Sequence, residues 1–341
     1  MFRGNGSPDK RGSRLAALLA AAAVLTLTLA GCGGSAAGGS ISWRLAETHP
    51  RDYPTTQADI WFADQLRERT DGRIDIKVFP DAQLGEERDV MEQVKLGSVE
   101  MTRTNANLVT EFVSSWEAFG IPYVFDDEQH FWNFLNGPGG ERKLEELNQA
   151  GYVGLTYYDS GARNFYTGSG PVEEPADLHG QNIRVQPGSL TSEMIETMGG
   201  SATTMNFSEV YSGLETGVID GAENNLPSYV STGHYEVADD ISLDEHQRVP
   251  EVLMVGQQAW NQLGEQDKEL VREVAEESTE VQRDLWKKEV EEARTTLEQE
   301  GVTIHDVDTE KFRAAVSGMT EKYTERFGEF TSAVDEARKT D

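Results

Sequence analysis

Cysteine is nearly absent from this chain, which has one among its 341 residues. A single thiol cannot form an intramolecular disulfide, so the fold must be stable without a covalent cross-link. Multi-cysteine metal sites are excluded for the same reason. The one thiol open to chemistry is Cys32, near the N-terminus.

Basic residues are also scarce: 30 lysines and arginines face 60 aspartates and glutamates, for a formal net charge of -30. Such a field repels nucleic acid and anionic lipid, which excludes both as partners. An anionic ligand would not be drawn in by this field and would need locally placed cations. The acidity itself fits either a general need for solubility or life in high salt, where screening makes self-repulsion tolerable.

Catalytic and metal-binding motifs are missing as well. The sequence contains no HExxH pair, no GxSxG elbow, no Walker A loop and no GxGxxG opening a helix after a strand. The six histidines do not show metal-ligand spacing, and carboxylates are too abundant for any one pair to be informative. The sequence therefore predicts a protein that is not an enzyme and that has no cofactor and no metal site.

Apolar runs are short everywhere except near the N-terminus. Basic residues precede an apolar run over 15–30, whose length of roughly 16 residues suits a signal peptide better than a membrane span. The run ends in Leu29-Ala30-Gly31-Cys32, which resembles a bacterial lipobox. We expect a lipoprotein signal peptide over 1–31, lipidation of Cys32, and a Gly/Ser-rich flexible tether over 32–40. The protein is then extracytoplasmic, held by lipid to the outer face of the cytoplasmic membrane, or periplasmic.

The first part of the remaining chain alternates strand and helix patterns. The predicted elements are strands at 41–46, 74–78 and 99–103, with helices at 54–70 and 86–96 between them. Apolar residues recur every three or four positions in the helices and alternate with polar residues in the strands. This rhythm is typical of an α/β lobe with a largely parallel sheet.

The rest of the chain indicates a second lobe of the same class. A strand at 153–158 leads into it, and a turn with a short strand at 177–185 follows. Helices are predicted at 189–198 and 207–217, with a strand or turn at 218–221, and the apolar run 252–255 returns the chain to the first lobe. About 300 residues suffice for two lobes of ordinary domain size.

The longest pattern covers 264–300 and predicts one helix. At about 1.5 Å per residue it would be some 50 Å long, more than one lobe is wide, so it should run behind both lobes. We expect lobe one to comprise 41–160 plus about 249–288, and lobe two 161–248 plus about 289–341.

Five short blocks occur in an order that resembles one known family. They are QLGEER at 83–88, GIPYVF at 120–125, GARNFY at 161–166, DLHGQNIRV at 177–185 and FSEVYSGLETGVIDGAENN at 207–225. Together they resemble the substrate-binding proteins of TRAP (tripartite ATP-independent periplasmic) transporters, over nearly the whole mature chain. The resemblance implies a two-lobed periplasmic-binding-protein-like fold with a hinge, closure over a small organic acid, and delivery to membrane carrier subunits.

The same resemblance implies a carboxylate-binding arginine in the Ile-Arg-Val block, which here is Arg184. A planar guanidinium donates two parallel hydrogen bonds to a carboxylate, a geometry that lysine cannot reproduce. Arg163 matches a second arginine of the family, and Asn224 matches an asparagine whose amide offers both a donor and an acceptor.

Three segments, at 158–166, 223–229 and 243–250, resemble the branch of the family that binds sugar acids such as glucuronate or galacturonate. A polyol acid needs many polar partners, because each buried hydroxyl left without a hydrogen bond is costly. Further candidate ligand-binding residues are Glu47, His49, Glu87, Arg103 and Asn105 in lobe one, and His246, which could equally serve in the hinge.

Other functions stay open at this point. The ligand could instead be a C4-dicarboxylate or a keto acid. The same scaffold could also carry an extracytoplasmic enzyme, which would turn its ligand over, or a sensory module that presents the ligand to a receptor kinase. Four tryptophans, Trp43, Trp61, Trp132 and Trp286, fall within predicted elements and are interpreted as core residues rather than as a platform for a sugar.

Overall fold

A computed structural model describes residues 1–4 and 39–339, except for the side chain of Ser189. The chain divides into two compact units, Met1–Gly39 and Ser40–Asp341, and the second is described here. The predicted signal peptide core and Cys32 lie outside the described residues. Within those residues, no helix combines the length and the apolar character needed to cross a membrane.

The second unit alternates strands and helices along most of its length. Its strands are β1 Ile41–Ala46, β2 Ile74–Phe79, β3 Met101–Asn105, β4 Tyr152–Tyr158, β5 Arg163–Thr167, β6 Asn182–Val185, β7 Ser201–Thr204, β8 Gly221–Asn224, β9 Asp240–Gln247, β10 Glu251–Gly256 and β11 Thr303–Asp306. Its α-helices are α1 Pro54–Arg69, α2 Glu87–Leu96, α3 Ala106–Val109, α4 Glu128–Leu135, α5 Pro138–Glu146, α6 Ser189–Thr197, α7 Val210–Glu215, α8 Leu226–Ser231, α9 Gln257–Trp260, α10 Glu265–Glu300, α11 Thr309–Arg326 and α12 Gly328–Ala337.

The strands form two sheets. The first has the order β2-β1-β3-β10-β4, and the second has the order β11-β9-β5-β8-β6-β7. In the first sheet β10 is antiparallel to both of its neighbours, and in the second β5 is antiparallel to both of its own. All other pairings are parallel. The expected α/β fold with mainly parallel sheets is confirmed, with one reversed strand in each sheet.

The long helix α10 packs against both sheets. Near its start, Val271, Val274 and Ala275 are buried in the core that covers the first sheet. Near its end, Ala293 and Leu297 are buried with apolar side chains of the second sheet. The helix begins one residue after the predicted start and ends at the predicted residue, where Gly301 adopts a left-handed conformation (φ 78°) that favours glycine. The expectation of one helix behind both lobes is therefore confirmed.

Three predicted elements differ from the structure by two or more residues at a boundary. The strand expected at 99–103 runs over Met101–Asn105, and the strand or turn expected at 218–221 is a strand over Gly221–Asn224. The helix expected at 207–217 is an α-helix over Val210–Glu215. Both strands follow a turn with a glycine at positive φ, Gly97 or Gly217, where the apolar pattern does not mark where pairing starts. The C-terminal helix α12, expected in lobe two, packs against α4 and α5, which lie between strands of the first sheet.

Aromatic residues explain this position of α12. Phe330 lies 4.9 Å from Phe134 and 5.2 Å from Phe119, measured between ring centroids. These rings belong to the largest apolar core, which also contains Phe165 and Ile183 of the second sheet. Among the tryptophans expected in the core, Trp43, Trp132 and Trp286 are buried, and Trp61 is partly buried.

Candidate functional site

A polar cleft lies between the ends of strands from both sheets, with about 590 Å³ of space, its open mouth included. The chain reaches it after β1, at the start of α2 and at β3 and β10 on the side of the first sheet. Strands β5, β6 and β8 reach it on the side of the second sheet. Six of the residues predicted from the sequence line it: His49, Glu87, Arg103, Arg163, Arg184 and Asn224.

Arg184 lies on β6 and is only 2% exposed. Its Nε and Nη2 donate to the carbonyl oxygen of Met205, at 3.0 and 2.8 Å. Its guanidinium carbon lies 5.9 Å from the centroid of the Phe207 ring. Nη1 is buried and has no hydrogen-bond partner among the described residues, and none of their carboxylates forms an ion pair with this arginine.

An unpaired buried cation is unfavourable, and burial lowers the pKa of Arg184 below its ordinary value. Arginine nonetheless keeps its proton at physiological pH, so this side of the cleft presents a positive charge with an unused donor. A carboxylate oxygen suits that position best, because a charged acceptor would supply both the hydrogen bond and the compensating charge.

Arg163, on the neighbouring strand β5, is already paired. It donates from Nε and Nη2 to the two carboxylate oxygens of Glu223, and from Nη2 to the Glu223 carbonyl oxygen at 2.8 Å. Its Nη1 lies 3.3 Å from Oδ1 of Asn224. Arg163 therefore lines the cleft, but its charge is neutralised by the protein. Oδ1 of Asn224 also accepts from the Asn225 amide at 2.9 Å, while its Nδ2 has no hydrogen-bond partner among the described residues.

His246 does not line the cleft, contrary to its interpretation as a ligand-binding candidate. It is fully buried behind Glu223, with Nε2 3.4 Å from a Glu223 oxygen and Nδ1 2.8 Å from Asp244. Burial alone would lower the pKa of His246, but the Asp244 and Glu223 carboxylates raise it to about 9. Burial alone would raise the pKa of Glu223, but the positive charges of Arg163 and His246 outweigh burial and lower this pKa to about 2. The four side chains form a buried row of alternating charge that holds Arg163 in place.

Arg103 organises the opposite side of the cleft. Its Nε donates to Glu47 at 2.7 Å, and Nη2 donates to the second oxygen of the same carboxylate. Its Nη1 donates to Glu87 at 2.9 Å and to Glu251 at 2.7 Å. One guanidinium thus contacts three carboxylates, so this side of the cleft carries an excess of acceptors.

Two other predicted residues lie one layer behind the cleft. Glu47 is 2% exposed and is occupied by Arg103, by Thr55 at 3.3 Å and by the backbone amide of His49 at 2.8 Å. Asn105 is 1% exposed, and its Nδ2 donates to Glu251 at 2.7 Å. Glu47 follows β1 and Asn105 ends β3, as expected. Neither lines the cleft: Glu47 holds Arg103, and Asn105 holds Glu251.

His49 lines the cleft as a neutral ring. Burial and the field of Arg103 lower the pKa of His49 to about 3. It stacks on Tyr53 with 3.9 Å between ring centroids, and its Nδ1 has no hydrogen-bond partner among the described residues. A neutral imidazole can donate from one nitrogen and accept at the other, which suits a hydroxyl better than a carboxylate.

Direct contacts join the two sides of the cleft. The Tyr53 hydroxyl lies 2.8 Å from Oγ of Ser228, and Ser208 donates to Glu86 at 2.5 Å. These residues come from segments associated with different sheets, so the two sides of the cleft touch each other in this structure.

Eleven residues that line the cleft were not assigned to it from the sequence, among them Glu251 and Phe207. Glu251 opens β10 opposite Asn105, and its only signal is a carboxylate directly before the apolar run 252–255. Phe207 begins a recognised block but was not assigned to the site. Within the described part of the chain, no group of three histidine, cysteine, aspartate or glutamate side chains is arranged to hold a metal ion.

Comparison with known proteins identifies relatives over most of the chain. Residues 45–326 match the model of the family described as bacterial extracellular solute-binding protein, family 7. A more distant relative is the C4-dicarboxylate-binding periplasmic protein of Rhodobacter capsulatus, which is 27% identical over 84% of this chain and 87% of its own.

Two solved structures are similar throughout. A TRAP periplasmic solute-binding protein from Chromohalobacter salexigens, crystallised with D-glucuronate, is 37% identical with a TM-score of 0.83 over 86% of this chain and 98% of its own. One from a Bradyrhizobium species, crystallised with galacturonate, is 39% identical with a TM-score of 0.82 over 88% of this chain and 100% of its own. The resemblance to TRAP substrate-binding proteins is confirmed.

Proposed function

This chain belongs to family 7 of the bacterial extracellular solute-binding proteins, and on that premise we propose that it captures a hexuronate, such as glucuronate or galacturonate, for a TRAP transporter. The observation that carries the proposal is Arg184, a buried guanidinium in the cleft with a free donor and no carboxylate partner among the described residues. A ligand carboxylate compensates its charge.

The remainder of the cleft suits a hydroxylated ligand. Glu87, Glu251 and neutral His49 offer acceptors on the side of the first sheet, while Asn224 offers an amide donor on the other side. Among the described residues, no cluster of aliphatic side chains lines this space to receive an alkyl chain. Sugar acids bound to similar proteins of 37% and 39% identity support this ligand class.

Closure of the two lobes is the proposed mechanism. The Arg184 side of the cleft binds the carboxylate, and the side built around Arg103 meets the hydroxyls. A ligand that touches both sides stabilises the closed form by its differential affinity for that form. The contacts of Tyr53 with Ser228 and of Glu86 with Ser208 add to the same state.

The wider biological setting is also proposed. The chain acts without catalysis and passes its ligand unchanged to the membrane carrier subunits of the transporter. The lipobox-like Leu29-Ala30-Gly31-Cys32 supports anchoring by lipid at Cys32 outside the cytoplasmic membrane. A C4-dicarboxylate is the second candidate ligand, supported by the Rhodobacter capsulatus relative.

Calorimetric titration tests the ligand class. The protein is first unfolded and refolded to remove any copurified ligand, then titrated with D-glucuronate, D-galacturonate, D-glucose and succinate. We expect both hexuronates to bind much more tightly than the other two, because a buried polar site strongly rejects an analogue that leaves its groups unpaired. Tight binding of succinate without a response to either hexuronate would overturn the proposal. Recovery of chemically altered hexuronate would show an enzyme instead.

A further inference from the structure

Arg103, on the side of the cleft formed by the first sheet, contacts more carboxylates than its single charge can neutralise. Arg103 contacts Glu47, Glu87 and Glu251, and its side chain is fully buried. Of these carboxylates, Glu87 and Glu251 line the cleft while Glu47 does not. Two carboxylates of this cluster therefore face the ligand space, and the single charge of Arg103 that compensates them is shared with a third. Glu86 and Arg88 also line the cleft, but Glu86 accepts from Ser208, and Arg88 is half exposed and paired with Glu92 and Glu111.

The hydrogen bonds show which atoms remain available. Both protons of Arg103 Nη1 are used, one for Glu87 and one for Glu251. Glu251 accepts once at each oxygen, from Arg103 and from Asn105, which leaves a further lone pair on each. One oxygen of Glu87 has no partner among the described residues, and its side chain is 18% exposed.

The two ends of the cleft thus differ in the sign of their charge. Arg184 presents a positive charge with a free donor, and Glu87 with Glu251 presents carboxyl oxygens. Burial raises the pKa of Glu87 to about 7, so both groups are acceptors only above that pH. A ligand hydroxyl can donate to such acceptors. A ligand carboxylate cannot, and like charges held together in a poorly solvated cleft repel strongly.

We propose that Glu87 and Glu251 form a hydroxyl-accepting subsite that excludes a second ligand carboxylate, so that the cleft takes hexuronates and rejects the aldaric acids of the same carbon skeleton. This inference rests on the proposed function and adds the selection against diacids. Arg103 is a positioning residue: it holds the two carboxylates in place and has little donor capacity left for a ligand.

The test compares D-glucuronate with D-glucarate, and D-galacturonate with galactarate, by calorimetry on the refolded full chain at about pH 8, above the raised pKa of Glu87. In the parent protein we expect each aldarate to bind at least about 100-fold more weakly than its hexuronate, in line with the cost of placing like charges together. Glu87→Gln keeps the shape and removes one charge. It should strengthen aldarate binding and lower the ratio of hexuronate affinity to aldarate affinity about tenfold, which corresponds to about 1.4 kcal/mol.

Glu251→Gln should also lower the ratio of hexuronate affinity to aldarate affinity. Glu265→Gln is the control, since Glu265 is exposed at the start of α10, and neither Glu265 nor its partner Lys268 lines the cleft. It should leave the ratio unchanged. The aldarates are open chains while the hexuronates form rings, but that difference is the same in the parent and the variants. The change in the ratio therefore isolates the charge.

The possible results distinguish failure of the proposed function from failure of the diacid-excluding subsite. If no hexuronate binds to the parent, the proposed function fails. If hexuronates bind and aldarates bind within about threefold of them, or if Glu87→Gln leaves the ratio unchanged, the diacid-excluding subsite is wrong while the proposed function stands. Thermal unfolding checks that each variant is folded. If the more deeply buried Glu251→Gln variant does not fold, the partly exposed Glu87 position decides the result.

Discussion

Arg163 and Glu223 form a buried ion pair between the adjacent antiparallel strands β5 and β8. Both side chains are almost fully buried, and two nitrogens of the guanidinium donate to the two carboxylate oxygens. Glu223 thus neutralises the charge of Arg163, one of the two arginines that the second sheet contributes to the cleft. Arg184 is thereby left as the positive group of that sheet available to a ligand.

Replacement of Arg184 by lysine tests this assignment. The variant keeps the charge but loses the planar arrangement of donors, so hexuronate affinity should fall by about 10- to 150-fold, or about 1.5–3 kcal/mol. Calorimetry with D-glucuronate measures the change. Arg67→Lys is the control, since Arg67 is exposed on α1 and does not line the cleft. Equal affinities of the Arg184 variant and the parent would show that Arg184 does not bind the carboxylate.

Glu223→Gln should destabilise the fold rather than act on the ligand alone. The change leaves Arg163 buried without a compensating charge, and loss of one partner of a buried pair costs about 3–5 kcal/mol. Urea denaturation measures the free energy of unfolding. Glu310→Gln removes a surface partner of Arg313 and should cost less than about 1 kcal/mol. A similarly small loss for Glu223→Gln would contradict the structural role of this pair.

His246 should make stability depend on pH between neutral and alkaline conditions. Its pKa is about 9 in the fold, above the ordinary value of about 6.5, so the folded state binds the proton more tightly. This contribution to the free energy of unfolding is complete below about pH 6.5 and is lost as the pH rises toward about 9. The parent should therefore lose stability relative to His246→Gln across that window, as followed by urea denaturation at several pH values.

An exposed histidine provides the control for this experiment. His179→Gln should leave the pH profile parallel to that of the parent between pH 6.5 and 9. Parallel profiles for the parent and His246→Gln would mean that His246 does not carry a proton bound in the native state.

Cys32→Ser tests the anchor that the sequence predicts. Without the thiol no lipid can be attached, so the protein should move from the membrane fraction to the soluble fraction of fractionated cells. Hexuronate affinity should stay the same, because a Gly/Ser-rich segment separates Cys32 from the first strand. Equal retention of the variant on membranes would contradict the lipobox interpretation.

The sequence predicted elements best where burial follows a simple period. The helix α10 and the strands β1, β4 and β10 were placed to within about two residues. Strand β9 was not predicted, because its sequence DISLDEHQ is polar and its buried Asp244 and His246 belong to an ion-pair row that no periodicity reveals. The strand β7, with the sequence SATT, lies at the edge of its sheet and has no apolar stripe.

For the site, the sequence by itself determined which polar residues stand at strand ends, and its motifs marked Arg163, Arg184 and Asn224. Strand ends meet at one edge of a sheet, so residues there could be expected to converge. Only the tertiary structure decided which charges cancel. Arg163 pairs with Glu223, 60 positions away, and Arg103 contacts Glu251, 148 positions away, whereas Arg184 has no such partner among the described residues. The free energy of a buried charge depends on distances to groups far along the chain, and the order of residues does not contain those distances.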